Sequence, residues 1–179
     1  MARIKILDKT FETTYTEADV LSAISRVADK ISKDLTDKDP VFVCVLNGAF
    51  MFAADLMKRV NIPSQISFVK LASYSGTQST GVTKELIGLN ESLVGKTVVI
   101  IEDIVDTGIT IANLMEQVRQ KGATDVRVAT LLYKPASCKL NWTPEYVGIE
   151  IPNDFIVGYG LDYDGYGRNI PEIMTLVKE

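Results

Sequence analysis

The sequence predicts an α/β fold in which helices cover a parallel sheet. Two continuous apolar runs, at 41–46 and 98–101, and a mainly apolar run at 126–133 have the length of strands that are buried on both faces. Segments with the apolar spacing of helices lie before the first run and between successive runs. Because strands that alternate with helices form parallel sheets, we expect ligands at the carboxyl ends of these strands.

The first predicted helix covers residues 16–35. Thr16 can cap it together with Asp19, three residues further on, and apolar residues then recur every three or four positions up to Leu35. Asn47-Gly48 ends the first apolar run, and the next helix is predicted over 50–60. This pattern predicts a helix on each side of the first buried strand.

The middle of the chain contains a further strand, a long polar segment and a third helix. The strand is predicted over 66–72, and the helix over 111–121, where Gly122 is placed to end it. The segment 73–81 is polar and rich in Gly and Ser, and it is long for a loop in a compact domain. An active-site lid and a disordered segment are both natural interpretations of it.

The composition is typical of one globular domain, and we predict a single domain over 1–179 without internal repeats or linkers. No apolar run approaches the ~18 residues of a membrane helix, and the N-terminus lacks the pattern of a signal peptide. We therefore expect a cytoplasmic protein that does not bind membranes. The net charge of −4 provides no general attraction for nucleic acid.

The chain contains no histidine, which excludes Ser-His and Cys-His nucleophilic catalysis and histidine-containing zinc sites. Acid–base chemistry must therefore come from carboxylates, lysines or tyrosines. The two cysteines, Cys44 and Cys138, are far apart in the sequence, and we interpret them as core thiols.

The stretch from Val98 to Thr110 carries the clearest chemical signal. An apolar strand leads into Glu102-Asp103, and Asp-Thr-Gly-Ile-Thr then opens a helix. Hydroxyls and open backbone at a helix N-terminus favour phosphate, and the two carboxylates suit sugar hydroxyls or a divalent metal. The alternative is that Asp106 and Thr107 only cap the helix and that the carboxylates are solvated.

Two other phosphate-binding motifs are not present in the sequence. No Gly-x-Gly-x-x-Gly follows a strand, so the dinucleotide fingerprint is absent. Gly76 and Gly81 have the spacing of a P-loop, but Val82 stands where the lysine belongs.

The stretch from Val98 to Thr110 resembles the phosphoribosyl pyrophosphate signature of the type I phosphoribosyltransferases. Further matches narrow the resemblance to the hypoxanthine (hypoxanthine-guanine) phosphoribosyltransferases. They are Leu46-Asn47-Gly48, Ser73-Tyr74, Lys134, the run from Asp154 to Tyr163, and Arg168. The resemblance implies a parallel sheet of about five strands with flanking helices, and a small hood from the N- and C-terminal segments. It also implies a homodimer or homotetramer.

The resemblance further implies a set of site residues and Mg²⁺ as cofactor. Asp106 would be the general base, Lys134 would donate to the oxygen at purine C6, and Phe155 would stack on the base. The donor phosphoribosyl pyrophosphate would contact Leu46, Asn47, Gly48, Ser73, Tyr74, Glu102, Asp103, Asp106, Thr107, Gly108, Ile109, Thr110 and Arg168. The purine would contact Lys134, Phe155, Ile156 and Asp162, and Mg²⁺ would contact Glu102, Asp103 and Asp162.

The implied reaction is purine salvage, in which the phosphoribosyl group passes to hypoxanthine, and also to guanine, with release of pyrophosphate. Two alternatives are an enzyme that prefers xanthine and a regulatory nucleic-acid-binding protein with the same fold. The chain departs from the family pattern at Asn47 and Ile109, where lysines are frequent, and this removes positive charge near the donor. In the family, the loop at 46–48 can contain a non-proline cis peptide.

Overall fold

The protein contains two β-sheets in the computed structural model. The structure describes residues 2–74, 83–89 and 91–178, and for 71–74 and 83–87 it describes the backbone alone. The larger sheet has the strand order β5-β4-β3-β6-β7-β8. Its strands are β3 (Val41–Leu46), β4 (Gln65–Tyr74), β5 (Thr83–Ile87), β6 (Thr97–Val105), β7 (Asp125–Tyr133) and β8 (Tyr146–Glu150).

Five strands of the larger sheet, β3, β4, β6, β7 and β8, run parallel, and β5 pairs antiparallel with β4 at the edge. Three helices accompany this sheet: α1 (Glu17–Asp34), α2 (Phe50–Met57) and α3 (Ile109–Gln120). The predicted five-stranded parallel sheet with flanking helices is therefore confirmed.

Alternation along the strands divides the core between the two faces of this sheet. Phe42 and Cys44 of β3 pack in one buried cluster with α1 and α2, whereas Val43 and Val45 pack in another with α3. Because both faces are covered, an apolar side chain is favourable at every position of the strand. This explains why the central strands are continuous apolar runs in the sequence.

The second sheet joins the N- and C-terminal parts of the chain. It is antiparallel, with the order β1-β2-β10-β9, and contains β1 (Arg3–Ile6), β2 (Lys9–Tyr15), β9 (Ile156–Val157) and β10 (Ile173–Leu176). Ile156 and Ile173 belong to the same buried cluster as Phe42 and Val99 of the larger sheet. The second sheet is thereby held beside the strands that end at the site described below, as expected for the hood.

The helix boundaries follow the sequence prediction with small differences. Helix α1 has the predicted capping box, in which the backbone N–H of Asp19 donates to Thr16 Oγ1 and the N–H of Thr16 donates to Asp19. Helix α2 ends at Met57 and not at 60, because its last turn tightens and the N–H of Arg59 bonds to the carbonyl of Leu56. None of the helices in the described ranges combines the length and apolar character needed to cross a membrane.

Two strands are longer than their apolar runs. Strand β6 continues through Glu102 to Val105, because Glu102 and Ile104 pair with Thr130 and Leu132 of β7. Strand β4 continues through Tyr74, which pairs with Thr83 of β5. The prediction of a loop at Ser73 and Tyr74 is therefore wrong, while the rest of the predicted loop, residues 75–81, lies outside the described residues.

Candidate active site

The turn between β6 and α3 builds the first half of the site. Gly108 is the N-cap of α3 with φ of 80°, and a Cβ atom there would lie 2.8 Å from Leu140 Cδ1. Glycine fits both constraints, because it tolerates positive φ and has no side chain. Within the described residues, no side chain caps α3, so the interpretation of Asp106 and Thr107 as helix caps is not supported.

A cavity of about 110 Å³ lies at the N-terminus of α3. The residues that line it and were predicted from the sequence are Glu102, Asp106, Thr107, Gly108 and Thr110. Ile104, Val105 and Ile111 complete the lining, and sequence reasoning did not select them. Since the N-terminus of a helix presents backbone N–H groups and a positive dipole, this cavity suits a phosphate.

A second cavity, of about 310 Å³, adjoins the first. Its predicted lining residues are Asp103, Asp106, Lys134, Phe155, Ile156 and Asp162. Ile104 and Leu161 also line it, and both lie inside the motifs from which the site was predicted. All four predicted purine-binding residues are thus brought together. Asp106 and Ile104 line both cavities, so they mark the boundary between the two.

Lys134 and Asp106 face each other at this boundary. Lys134 Nζ lies 3.5 Å from Asp106 Oδ2, and 11% of the lysine side chain is exposed against 49% of the aspartate. The backbone N–H of Lys134 donates to the carbonyl of Val105 at 3.0 Å, which keeps the ends of β6 and β7 side by side. A nearly buried ammonium group requires partners, and its donors are available to an acceptor bound in the second cavity.

Asp103 is packed tightly between neighbouring backbone segments. Burial raises the pKa of its carboxyl group, although hydrogen bonds from Glu102 and from the N–H of Ile104 act in the opposite direction. A Cβ atom at Gly48 would lie 1.7 Å from Asp103 Oδ2, so the absence of a side chain at Gly48 makes room for this carboxylate. The peptide bond between Leu46 and Asn47 in the same loop is cis.

The carboxylates fit Mg²⁺, which prefers oxygen ligands. Within the described ranges, no three Asp, Glu or Cys side chains are grouped closely enough to hold a metal. The predicted ligands Glu102, Asp103 and Asp162 therefore do not form one protein cage. Glu102 and Asp103 are adjacent and in contact, and Mg²⁺ in proteins commonly uses one or two carboxylates together with substrate phosphates and water.

Phe155 is presented to the second cavity by an aromatic cluster. Its side chain is 45% exposed, its ring centroid is 6.1 Å from that of Phe11, and it is 5.8 Å from that of Tyr163. The hydroxyl of Tyr163 donates to Asp8 Oδ1 at 2.7 Å. Phe155 is thus supported from the second sheet while remaining accessible to a ligand, which a buried core phenylalanine would not be.

Arg168 is engaged with the segment that lines the second cavity. Its guanidinium group forms an ion pair with Asp162 at 2.7 Å and donates to the carbonyl of Gly160 at 2.7 Å. The structure therefore places Arg168 beside a predicted purine contact.

Some predicted donor contacts are absent from the described linings of the two cavities, namely Leu46, Asn47, Gly48, Ile109 and Arg168. The side chains of Ser73 and Tyr74 lie outside the described part of the structure. Ile109 is the first residue of α3 and its side chain is 50% exposed.

Comparison with known proteins shows the family. Residues 13–164 match the phosphoribosyl transferase domain family, and the chain belongs to that family. It is 36% identical to a hypoxanthine-guanine phosphoribosyltransferase of Streptococcus thermophilus over 92% of both chains. It is 38% identical to one of Staphylococcus aureus over 94% of both chains.

The fold comparison agrees with the sequence comparison. A crystal structure of a hypoxanthine phosphoribosyltransferase from Staphylococcus aureus superposes with a TM-score of 0.85 at 36% identity, covering 93% of this chain and 91% of that one. The protein is therefore an enzyme with the type I phosphoribosyltransferase fold. The xanthine-preferring and nucleic-acid-binding alternatives gain no support from these relatives.

Proposed function

We propose that the protein transfers the phosphoribosyl group of phosphoribosyl pyrophosphate to hypoxanthine and guanine, giving IMP or GMP and pyrophosphate. The observation that carries this proposal is the position of Asp106, which lines a cavity suited to phosphate and also a larger cavity lined by Lys134 and Phe155. A base in one cavity and a ribose phosphate in the other would meet at this residue.

The donor half of the proposal rests on the turn between β6 and α3. Thr107 and Thr110 supply hydroxyls, and the N-terminus of α3 supplies backbone donors and a favourable dipole for the 5′-phosphate. Glu102 and Asp103 would hold Mg²⁺ beside the ribose and the pyrophosphate, where the ion would offset the negative charge of the leaving group. Arg168, which forms an ion pair with Asp162, would supply a guanidinium group for the same pyrophosphate.

The base half rests on the chemistry of Lys134 and Phe155. An ammonium group has three donors and no acceptor, so Lys134 suits the C6 oxygen of hypoxanthine or guanine and leaves the amino group of adenine unmatched. The exposed ring of Phe155 provides a surface on which a flat base can stack. The backbone of Ile156, in the same lining, would contact the edge of the purine.

The proposed reaction is a displacement at C1 of the ribose. The bond from C1 to the pyrophosphate oxygen breaks as the bond to a purine ring nitrogen forms, and the transition state resembles an oxocarbenium ion. Asp106 would accept the proton that the purine loses, since its carboxylate faces the base cavity. Lys134, 3.5 Å from that carboxylate, would hold both the base and the aspartate in place.

The function is tested by turnover with adenine, hypoxanthine, guanine and xanthine, each with phosphoribosyl pyrophosphate and Mg²⁺. We expect turnover of hypoxanthine and guanine, essentially none of adenine, and loss of activity after exhaustive chelation. Efficient use of adenine would reject the proposed base selection, and full activity in chelator would reject the role of Mg²⁺.

Lys134→Gln tests the residue assigned to base selection. A hydrogen bond from a charged donor contributes about 1.5–3 kcal/mol, so kcat/KM with hypoxanthine should fall about 10- to 150-fold. The difference in kcat/KM between hypoxanthine and adenine should become smaller, because an amide can donate a hydrogen bond and also accept one. Lys121→Gln, at an exposed position after α3, is the control and should leave kcat/KM unchanged with hypoxanthine and with adenine. An unchanged efficiency in Lys134→Gln would remove Lys134 from the base site.

We also propose that the enzyme is a homodimer or homotetramer. Ile66 and Phe68 lie on the same face of β4 and are 37% and 48% exposed, which leaves apolar surface for a second copy. Light scattering coupled to size-exclusion chromatography would measure the mass, and a monomer would reject the proposal.

A further inference from the structure

A buried hydrogen bond links two parts of the chain that approach the site from different sheets. Tyr159 follows the base-cavity residues Phe155 and Ile156, and 1% of it is exposed. Its hydroxyl donates to Asp55 Oδ2. Asp55 lies on α2, which begins two residues after Gly48 of the 46–48 loop. The bond therefore connects the base segment to the helix that continues the donor loop.

The backbone around Tyr159 is constrained in a conformation that favours glycine. Gly158, Tyr159 and Gly160 have φ values of 96°, 49° and 98°. Positive φ is unfavourable for a bulky residue such as tyrosine and persists where surrounding contacts impose it. The Tyr159 N–H donates to the carbonyl of Ile170 at 2.8 Å, and the side chain adds the bond to Asp55. The hydroxyl is thus one of the contacts that hold this turn.

The same turn presses against the donor loop. A Cβ atom at Gly160 would lie 2.0 Å from the carbonyl oxygen of Gly48, and one at Gly48 would lie 1.7 Å from Asp103 Oδ2. Gly160, Gly48 and Asp103 therefore form a contiguous stack, from the base segment through the donor loop to a proposed Mg²⁺ ligand. Close packing of this kind transmits small displacements, because no space exists to absorb them.

Asp55 is placed to act as a fixed acceptor. Lys58 Nζ lies 2.6 Å and Arg59 Nη1 lies 3.5 Å from Asp55 Oδ1, while the other carboxylate oxygen receives the tyrosine hydroxyl. Tyr159 can thus lose its hydroxyl without leaving Asp55 unpaired. This makes Tyr159→Phe a clean probe of the link.

We propose that Tyr159 and Asp55 are positioning residues that couple the base segment to the donor loop, so that bound donor raises the affinity for the purine. The inference rests on the proposed function, and neither residue lines either of the two cavities. Coupling between two sites typically changes affinity about 5- to 150-fold and acts equally in both directions. Without the link, each substrate should bind as it does alone.

The test compares Tyr159→Phe with the wild-type enzyme in two measurements. The dissociation constant of phosphoribosyl pyrophosphate with Mg²⁺ and without base, measured by calorimetry, should change less than twofold. The Michaelis constant for hypoxanthine at saturating donor should rise about tenfold, within the range of such couplings. Tyr166→Phe, an exposed tyrosine in the same segment, should leave both values unchanged.

Variants of Asp55 separate coupling from general damage to the fold. Asp55→Asn keeps an acceptor for the tyrosine hydroxyl and should retain the wild-type Michaelis constant, whereas Asp55→Ala should reproduce Tyr159→Phe. The double variant Tyr159→Phe/Asp55→Ala should be no worse than either change alone, because both remove the same bond. If Tyr159→Phe does not fold, the Asp55 pair provides the same comparison.

Three results would overturn the coupling. They are an unchanged Michaelis constant for hypoxanthine in Tyr159→Phe, a parallel loss of donor affinity in the absence of base, or additive effects in the double variant. Wild-type turnover of hypoxanthine is measured in every experiment. Its absence would reject the proposed function and the coupling together, whereas wild-type turnover with an uncoupled result would reject the coupling alone.

Discussion

The turn at 102–110 and the segment at 154–168 meet at the same site but are built differently. The turn consists of consecutive residues whose positions are set by their own strand β6 and their own helix α3. The segment contains a two-residue strand and is held by partners from elsewhere in the chain. These partners include Asp8, Phe11, Gly48 and Asp55.

The turn is therefore stabilised by contacts that are local in the sequence, and the segment by contacts that are distant in the sequence. The proposed 5′-phosphate site lies in one continuous stretch, so a change elsewhere should disturb phosphate binding little. The proposed base site depends on contacts between residues that are up to 155 positions apart, such as Tyr163 with Asp8. We therefore expect base recognition to be more sensitive than phosphate binding to substitutions at a distance.

The largest expected effect is at Asp106, where the two regions meet. Asp106→Asn should lower kcat by about 10²–10⁴-fold, because a general base typically contributes that factor. Donor affinity and thermal stability should change little, since Asp106 does not cap α3 and the asparagine oxygen can still accept from Lys134. Pre-steady-state turnover and donor calorimetry would measure these quantities. A loss smaller than tenfold with intact donor binding would assign the proton to another group.

A smaller effect is expected at Phe155, within the segment held by long-range contacts. Phe155→Leu removes the stacking surface, which contributes about 1–3 kcal/mol, so the Michaelis constant for hypoxanthine should rise about 5- to 150-fold. The donor dissociation constant should stay constant if the two regions bind their ligands separately. Tyr166→Leu, at another exposed aromatic position of the same segment, is the control. Equal weakening of donor and base would contradict the separation.

The smallest effect concerns stability and Asp103. Burial raises its pKa in the folded protein, so the folded state binds its proton more tightly than the unfolded state. The free energy of unfolding therefore falls as pH rises above about 3.9, the ordinary aspartate pKa, and the full cost applies above the raised pKa.

Asp103→Asn removes this cost and retains an amide that can bond to Glu102. At pH 7 in chelator, the variant should be more stable than the wild type, and the difference should shrink toward acid pH. Urea unfolding between pH 4 and 8 measures this, with exposed Asp37→Asn as control. If Asp103→Asn is less stable than the wild type at pH 7, burial of the Asp103 carboxylate does not destabilise the folded protein and the prediction is wrong.

The same distinction explains what the sequence could predict. Strands β3, β6 and β7 could be predicted because burial on both faces selects mainly apolar runs. Helix α1 could be predicted because its capping residues, Thr16 and Asp19, lie close together in the sequence. Strands β1 and β10 could not be predicted, because they are short and depend on pairing with β2. The extension of β6 past Glu102 also depends on pairing, here with β7.

The site shows this limit again. The proposed donor residues at 102–110 could be recognised as a motif, because a phosphate-binding turn requires specific residue types at fixed spacing. The hydrogen bond between Tyr159 and Asp55 joins residues 104 positions apart, and the sequence around either residue does not indicate its partner. Such pairs can be identified only from the three-dimensional structure.

The stack of Gly160, Gly48 and Asp103 limits how this protein can change during evolution. At Gly160 the obstacle is the backbone carbonyl of Gly48, which cannot rotate aside as a side chain could. At Gly48 the obstacle is the carboxylate of Asp103, which we propose as a Mg²⁺ ligand. A single methyl group at either glycine would displace the Gly48 carbonyl or this carboxylate. We therefore expect lineages of this enzyme to keep glycine at these two positions while the surrounding side chains vary.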